Sequence, residues 1–219
     1  MTNTILFDLD GTLLNTLEDL KNSVNFALKK FAYSEKTLEQ VRASVGNGLR
    51  RLIELSVPEG TSSETVDAVL ATMKLHYQDH CAIKTAPYPG ILELLDQLKA
   101  AGFRMAIVSN KAAPMTEQLR QKFFAAQVPF AFGESAELRR KPWPDMPVAA
   151  LKQLGSAAEN SVYVGDSEVD VQTARNAGIP CLSVGWGFRS AQELHDAGVS
   201  EIFNTPQELL NELLSRASA

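Results

Sequence analysis

The sequence predicts an α/β fold: a Rossmann-like parallel sheet flanked by helices, with an inserted all-helical domain. Between residues 87 and 219, short apolar runs of strand length alternate with amphipathic helical segments, which is typical of a parallel sheet covered by helices. An apolar run at residues 4–7 predicts a first strand near the N-terminus. From residue 15 to about residue 83 there is no convincing strand, but several runs have helical spacing of apolar side chains, so this part of the chain is predicted to be a helical insertion.

Composition and charge limit the classes of protein and partner. Of the 219 residues, 45% are hydrophobic and 21% are charged, which is ordinary for a soluble globular protein of one domain or one domain with an insertion. The net charge of −5 argues against nucleic acid and anionic membranes as partners. It leaves an anionic substrate open, because a bound metal could invert the local field.

Sequence features also indicate the compartment. Cys81 and Cys181 are far apart and lack metal-ligand spacing, which predicts free thiols in a reducing compartment. The N-terminal residues lack a basic segment followed by a long apolar core, and no apolar stretch is long enough to cross a bilayer. We therefore expect a cytoplasmic protein.

The first predicted strand, Thr4–Phe7, is followed by two carboxylates. Side chains alternate along a strand, so Asp8 and Asp10 project to the same side if the strand geometry continues through Leu9. Taken alone, the pair and the following Gly11 are equally compatible with a solvated turn. If both acids are buried they need a cation, because unpaired buried carboxylates are costly.

Four helices are predicted in the insertion, over residues 16–31, 34–45, 49–55 and 61–77. Thr16 with Asp19 predicts a side-chain cap for the first helix, and Thr61 with Glu64 predicts one for the fourth. A cluster of proline and glycine at residues 87–90 marks the exit from the insertion. The predicted domains are therefore an α/β catalytic core of residues 1–14 and 87–219, and a helical domain of residues 15–86.

Two patterns in the insertion resemble known sites but fit their motifs incompletely. His76 and His80 have the spacing of a zinc-binding helix, but Tyr77 stands where that motif has glutamate, and no third ligand is evident. Gly46-Asn47-Gly48 could open a dinucleotide fingerprint, but Arg51 occupies the position of the third glycine. For these glycines, a hinge between helices or a substrate loop is the favoured interpretation.

Helices and strands then alternate to the C-terminus. The predicted strands are residues 105–108, 130–132, 161–164, 181–184 and 201–203, and the predicted helices are residues 91–98, 114–123, 148–154, 169–177 and 206–214. Thr205 with Glu208 predicts a capping box for the last helix, with Pro206 at its first position. Gly185-Trp186-Gly187 predicts a loop at the edge of the sheet.

Polar side chains follow three of the predicted strands. They are Asp8 and Asp10, Ser109 and Asn110, and Asp166 and Asp170, with Lys141 at a helix start between the last two groups. Each group alone is also compatible with a turn, a solvated lysine or a helix cap. Ligands of parallel sheets bind outside the carboxyl ends of the strands, so the joint occurrence predicts one shared functional crevice.

These motifs resemble those of a known superfamily. Asp8-Leu9-Asp10-Gly11-Thr12, Ser109-Asn110, Lys141-Pro142 and residues 165–170 follow the order of the four motifs of the haloacid dehalogenase superfamily, across essentially the whole chain. The helical insertion resembles the cap of that superfamily. Further similarity to its phosphoglycolate phosphatase subgroup lies in Asn47 with its flanking glycines, Ser109-Asn110-Lys111, Arg140-Lys141-Pro142 and Trp186-Gly187-Phe188. Asn15-Thr16 departs from the Asp-Ser or Asp-Thr that this subgroup often has.

The charges of the predicted site require a cation. Four carboxylates and the ammonium of Lys141 leave three uncompensated negative charges if all are ionised. Each like-charge pair at about 4 Å costs about 1 kcal/mol in water and about 4 kcal/mol at an effective dielectric near 20, so a phosphate dianion cannot enter unaided. Oxygen ligands select Mg²⁺. The resemblance implies that Asp8, Asp166 and the backbone carbonyl of Asp10 bind the metal, while Asp170 binds a metal-bound water or orients Lys141.

The resemblance also implies the roles of the other residues. Asp8 is expected to attack phosphorus and form an aspartyl-phosphate, with Asp10 as general acid and then general base. Ser109 and the Asn110 amide are expected to hydrogen-bond the phosphoryl oxygens, and Lys141 with Mg²⁺ is expected to offset charge in the transition state. The remaining expected substrate contacts are Thr12, Asn47 and Arg50, the last two lying where a helix N-terminus suits a small carboxylate.

We therefore expect a Mg²⁺-dependent phosphomonoesterase that acts on a small phosphorylated metabolite, with 2-phosphoglycolate as the first candidate. The open alternatives are a sugar phosphomutase similar to β-phosphoglucomutase, a pyrophosphatase, and a catalytically silent phosphate-binding protein. The expected partner is a small-molecule phosphate ester rather than nucleic acid or membrane, and the expected assembly is a monomer or weak homodimer.

Overall fold

The computed structural model describes residues 2–46 and 48–218. The chain divides into two compact units, one formed by Met1–Leu14 with Pro87–Ala219 and one formed by Asn15–Ala86. Among the described residues, no helix combines the length and apolar character needed to cross a membrane.

The strands of the described residues are β1 (Thr4–Phe7), β2 (Leu14–Asn15), β3 (Ala86–Pro87), β4 (Arg104–Ala112), β5 (Phe130–Glu134), β6 (Ser161–Gly165), β7 (Cys181–Val184) and β8 (Ile202–Phe203). The helices are α1 (Leu17–Lys30), α2 (Leu38–Ser44), α3 (Gly48–Ser56), α4 (Ser63–His80), α5 (Ile91–Ala100), α6 (Ala113–Phe124), α7 (Asp145–Leu154), α8 (Glu168–Ala177), α9 (Ala191–Asp196) and α10 (Pro206–Ser218).

The larger unit contains a six-stranded sheet in the order β5-β4-β1-β6-β7-β8. All five neighbouring pairs are parallel. The central strand β1 is buried along its whole length, which is why its sequence is a continuous apolar run rather than an alternating one. Helices α5 and α7 bury apolar side chains, whereas the buried faces of α6 and α8 also include Thr116, Asp170 and Thr173. This arrangement confirms the predicted α/β fold class.

Strand order brings the predicted motifs to one edge of the sheet. β1 pairs on one side with β4 and on the other with β6, with Ile5 opposite both Met105 and Val162. Because the three strands are parallel and in register, their carboxyl ends meet at the same edge. Asp8 and Asp166 directly follow β1 and β6, whereas Ser109 and Asn110 lie within β4, which runs four residues beyond the predicted end at residue 108.

The smaller unit is built from helices α1 to α4. Its core is formed by apolar residues recurring at helical spacing on α1 and α4, including Leu20, Val24, Val69, Met73 and Tyr77. Burial of these side chains, rather than local propensity, supplies most of the stability of such short helices. The predicted pattern of four helices is thus found, with α2 beginning at Leu38 instead of residue 34.

Asp19 has a different role from the one predicted. The Thr16 side chain makes no capping hydrogen bond to α1. Asp19 instead is 2% exposed, and its carboxylate accepts hydrogen bonds from the backbone N–H groups of Ile83, Lys84 and Thr85 at 2.8–3.0 Å. The predicted cap is therefore wrong, because the acid satisfies donors that are distant in sequence.

Two further local predictions need correction. The cap of α4 is Ser62, whose hydroxyl accepts from the Thr65 N–H, rather than Thr61. The short helix α9 was not predicted, although Ser190 and Glu193 form a complete capping box at its start. That spacing was visible in the sequence, but a single turn of helix has too few apolar residues to show a period.

The histidine pair of α4 forms a ring stack. His76 lies 3.9 Å from His80 and 4.1 Å from Phe26 between ring centroids. The His76 Nδ1 is 2.9 Å from the Ser23 hydroxyl. Among the described residues, neither histidine belongs to a group of three potential metal ligands.

Candidate active site

A buried cluster of charged side chains lies at the carboxyl edge of the sheet. Asp8, Asp166 and Asp170 each place a carboxylate oxygen within 4.8 Å of the other two. The Lys141 Nζ lies 2.7 Å from Asp8 Oδ1 and 2.7 Å from Asp170 Oδ1. All four residues are 6% exposed or less. Three parts of the chain that are remote in sequence thus form one site.

Strand geometry explains the position of Asp8. The Asp8 N–H donates to the Val164 carbonyl at 2.9 Å, which extends the ladder between β1 and β6 by one residue. The carboxylate is therefore held by sheet hydrogen bonds directly at the strand end. Because the backbone of Asp8 is paired in this way, the Cα from which its side chain extends has a fixed position.

Asp166 is fixed by hydrogen bonds from two loops. Its Oδ1 accepts from the Thr12 hydroxyl at 3.1 Å, and its Oδ2 accepts from the Phe188 N–H at 2.7 Å. The expected contact between Thr12 and substrate remains a prediction, and the structure places the hydroxyl on a carboxylate of the cluster. Phe188 was named only through the resemblance, and no local pattern indicated that its backbone faces Asp166.

Two glycines allow these loops to approach Asp166. A Cβ added at Gly11, which has φ of 93°, would lie 2.3 Å from Asp166 Oδ2. A Cβ added at Gly187 would lie 2.3 Å from Asp166 Cβ. Any side chain at either position would displace the carboxylate, so the site requires glycine on both sides.

Asp170 caps helix α8 and also contacts the lysine. Its Oδ2 accepts from the Ser167 N–H at 3.1 Å and from the Ser167 hydroxyl at 2.6 Å, while Oδ1 accepts from Lys141 at 2.7 Å. The residue therefore combines the helix-cap role with a place in the charged cluster. Both roles expected for Asp170, binding a metal-bound water and orienting Lys141, remain predictions, and the contact with Lys141 is the geometric basis of the second.

Asn110 holds the backbone of Lys141. Its Oδ1 accepts from the Lys141 N–H, and its Nδ2 donates to the Lys141 carbonyl at 3.2 Å. Ser109 is 1% exposed, and its hydroxyl accepts from the Lys111 N–H at 3.2 Å. The Asn110 side chain thus holds the Lys141 backbone, and the expected contacts of Ser109 and Asn110 with phosphoryl oxygens remain predictions.

The cluster has strongly perturbed acid–base properties. Burial, and then the charge of Asp170, raise the pKa of Asp8 well above its ordinary value, although Lys141 opposes this shift. The same two causes raise the pKa of Asp166 to about 7. For Lys141, burial lowers the pKa but the adjacent Asp170 and Asp8 carboxylates outweigh it, so its pKa is raised well above the usual range. One ammonium does not compensate three buried carboxylates.

Asp10 is not a member of this cluster and is paired with a different lysine, Lys111. Its side chain is 19% exposed, and its Oδ1 is 3.3 Å from the Lys111 Nζ, whose side chain is 5% exposed. From the sequence, Lys111 was recognised only as part of the Ser109-Asn110-Lys111 motif. A lysine in an otherwise buried strand was the available signal, because lysine is almost never fully buried unless it is paired.

Further contacts around the site were missed. The Trp186 Nε1 donates to the Thr12 carbonyl at 3.0 Å, and Arg189 pairs with Glu168 at 2.7 Å. Tyr163 is fully buried on β6, with its ring centroid 5.9 Å from the Lys141 Nζ. The loop after β7 therefore packs on the first motif, which a sequence pattern of loop residues could not reveal.

Asn47 and Arg50 are the two substrate contacts expected in the smaller unit, and the structure describes only Arg50. Asn47 lies outside the described residues. The Arg50 guanidinium contacts Glu54, Asp67 and Ser63, and its side chain is 42% exposed. Arg50 would have to exchange these surface contacts to bind a substrate, which costs little because exposed ion pairs are weak.

Comparisons with known proteins support the resemblance to the haloacid dehalogenase superfamily. Residues 5–184 match the family model described as haloacid dehalogenase-like hydrolase. A phosphoglycolate phosphatase of Mesorhizobium japonicum is 34% identical, over 98% of this chain and 97% of the relative. One from Colwellia psychrerythraea is 33% identical, over 94% of both chains.

A solved structure is similar over the whole fold. The crystal structure of a candidate phosphoglycolate phosphatase from Lactobacillus delbrueckii subsp. bulgaricus is 35% identical, with a TM-score of 0.93 over 97% of this chain and 99% of that chain. These similarities confirm the resemblance inferred from the motifs.

Proposed function

Since the chain belongs to the haloacid dehalogenase-like hydrolase family and is a hydrolase of phosphoric monoesters, we propose that it is a Mg²⁺-dependent phosphatase acting through an aspartyl-phosphate. The observation that carries this proposal is the buried group of Asp8, Asp166 and Asp170 with Lys141 against two of its members. A nucleophilic carboxylate, a cation for the phosphoryl group and a set of oxygen ligands occur together there. An ordinary structural ion pair would not need a third buried acid.

The donor set fits a hard divalent cation. The three carboxylates are buried with their oxygens within 4.8 Å of one another. Burial, and then the charge of Asp170, raise the pKa values of Asp8 and Asp166, and Lys141 only partly opposes this. Asp8 and Asp166, with the Asp10 carbonyl, would hold Mg²⁺, and Asp170 would stay on Lys141. When bound, the metal would neutralise charge on the phosphoryl oxygens.

The residues of the chain then divide the chemistry. Asp8 attacks phosphorus, forming one P–O bond while the ester P–O bond breaks, and Asp10 gives its proton to the leaving alkoxide. In the second step Asp10 takes a proton from water, which attacks phosphorus and releases inorganic phosphate and the Asp8 carboxylate. Lys141 and Ser109 bind the phosphoryl oxygens, while Asn110 keeps Lys141 in place.

The relatives support 2-phosphoglycolate as the substrate. In this proposal residues 1–14 and 87–219 are the catalytic core, and residues 15–86 are a cap that selects the substrate. Arg50 or Asn47 would contact the substrate carboxylate. A compact anionic ester would be preferred over a bulky neutral sugar phosphate.

An assay with purified protein tests the reaction class. Protein treated with EDTA should hydrolyse nothing, and Mg²⁺ should restore hydrolysis of 2-phosphoglycolate in preference to hexose phosphates and pyrophosphate. Ca²⁺ should restore little, because it takes more ligands at longer distance and can occupy both oxygens of Asp8. Conversion of a β-hexose 1-phosphate to its 6-phosphate would instead identify a phosphomutase. Phosphate binding without turnover of p-nitrophenyl phosphate would identify a silent binding protein.

Replacement of Arg50 tests the substrate assignment. Arg50→Gln should raise KM for 2-phosphoglycolate about tenfold, as expected for loss of a charge-assisted contact, while p-nitrophenyl phosphate is turned over as before. Arg51→Gln is the matched control, because Arg51 is equally charged, adjacent and also paired to Glu54. If both variants show the same preference for 2-phosphoglycolate over p-nitrophenyl phosphate, Arg50 does not take part in substrate recognition.

A further inference from the structure

A second buried lysine lies at the site, and the proposed reaction does not use it. Lys111 is 7% exposed, and its Nζ lies 3.3 Å from Asp10 Oδ1. Lys141 serves two of the buried acids, contacting Asp8 and Asp170. The two lysines therefore contact different carboxylates, and Lys111 is the one beside the general acid.

The backbone of Lys111 is fixed from three sides. Its N–H donates to the Ser109 hydroxyl at 3.2 Å, and its carbonyl accepts from the Thr116 hydroxyl at 3.1 Å. A Cβ added at Gly133 on β5 would lie 2.6 Å from the same carbonyl. This close approach occurs where the pairing of β4 with β5 shifts register, between Val108 and Ala112. Such irregularities often redirect side chains near active sites.

An orienting contact matters more for Asp10 than for the three acids of the cluster. Asp8, Asp166 and Asp170 are nearly inaccessible to solvent, whereas the Asp10 side chain is 19% exposed. A partly exposed carboxylate has several accessible rotamers. Proton transfer requires the acid within hydrogen-bond reach of the leaving oxygen, so a fixed orientation is directly relevant to rate.

On the basis of the proposed function, we propose that Lys111 is a positioning residue that holds the Asp10 carboxyl in the orientation for proton transfer. The Lys111 ammonium donates to Oδ1, which can accept whether or not Asp10 carries a proton. The transferable proton therefore sits on Oδ2. In the first step that proton moves from Oδ2 to the leaving alkoxide as the ester P–O bond breaks, and Lys111 keeps all its protons.

This role predicts an effect that depends on the leaving group. An alkoxide needs a proton as it departs, whereas p-nitrophenolate does not. Lys111→Met should therefore slow phosphorylation by 2-phosphoglycolate about tenfold or more, a part of the ~10²–10⁴ that general acid catalysis supplies. Phosphorylation by p-nitrophenyl phosphate should change less than about threefold. Lys111→Arg, which retains the charge and the donors, should restore much of the loss.

Rapid-mixing experiments measure this step by itself. The burst of p-nitrophenolate and the single-turnover release of glycolate both report phosphorylation of Asp8 and are independent of the later hydrolysis. Lys152→Met is the matched control, because Lys152 is exposed on α7 and should affect neither rate. Thermal melts of all variants show whether the fold is retained.

A double-variant comparison separates positioning from a structural role. In an Asp10→Asn background, Lys111→Met should lower the glycolate rate less than about threefold further, because the group it positions is already gone. If Lys111→Met has the same effect with and without Asp10, or slows both leaving groups equally, the proposal is wrong. If the wild type produces neither a burst nor glycolate, the proposed function fails as well, so the two failures are distinguishable.

Discussion

Asp8→Asn is expected to abolish turnover while the protein still folds. The amide is neither a nucleophile nor a good ligand for a hard cation, yet it keeps the shape of a side chain that sits 2.7 Å from Lys141. Steady-state assays with p-nitrophenyl phosphate measure the loss, and mass spectrometry excludes deamidation back to aspartate. Retention of more than a few per cent of activity by intact asparagine would remove Asp8 from the nucleophile role.

Asn110→Ala is expected to lower kcat about 10- to 100-fold, because a misplacement of Lys141 by about 1 Å has an effect of that size. The loss of two hydrogen bonds to the Lys141 backbone should also lower the free energy of unfolding by about 1–3 kcal/mol. Asn176→Ala is the control, since the exposed Asn176 side chain donates to the carbonyl of Pro142, the residue that follows Lys141. Equal effects of both variants on kcat would show that Asn110 has no special role.

At the scale of elements, Asp19 provides the test of stability. Asp19→Ala leaves three backbone N–H groups without their acceptor, so the free energy of unfolding should fall by about 2–4 kcal/mol. Asp79→Ala, an exposed acid on α4, should change it by less than about 0.5 kcal/mol. Urea denaturation measures both. A small effect of Asp19→Ala would mean that water replaces the carboxylate at these N–H groups.

The same elements show where local patterns are ambiguous. Thr16 with Asp19, Ser190 with Glu193, and Ser167 with Asp170 share a spacing of three residues. Only the last two form capping boxes, while Asp19 binds a distant segment. A short acid near a helix start can satisfy donors of its own helix or of another segment, and the choice depends on packing that the spacing does not contain.

For the whole molecule, stability and metal binding should depend on pH together. The raised pKa values of Asp8 and Asp166 mean that the metal-free folded state keeps protons that the unfolded state has lost above about pH 4. Stability should therefore fall as pH rises from about 5 to 8, by on the order of a few kcal/mol. Mg²⁺ should raise Tm more at pH 8 than at pH 5.5, because protons compete with the metal.

Thermal melts with and without Mg²⁺ at the two pH values check this expectation. Asp166→Asn is the control, because it removes a titrating group and a ligand, and it should flatten both the pH dependence and the response to Mg²⁺. A metal-free protein that becomes more stable between pH 5 and 8 would contradict the uncompensated charge of the cluster.

The sequence by itself determined the fold class, the family and the residues of the buried charged cluster. Buried strands, amphipathic helices and glycine breaks are properties of short segments, so they can be identified from composition and period. Asp8, Asp166 and Asp170 could be assigned to one site because the carboxyl ends of parallel strands meet at one edge, and Lys141 was added to it by the order of the motifs. The rule depends only on the direction of the strands, so it can be applied without knowing any interatomic distance.

Only the tertiary structure decided which partner each polar group takes. It placed Lys111 on Asp10, the Thr12 hydroxyl on Asp166, and Asp19 on the segment at residues 83–85. These partners are separated by more than 60 residues, and hydrogen bonds and ion pairs depend on differences of tenths of an ångström. Such distances are set by the packing of the whole core, so no local pattern contains them.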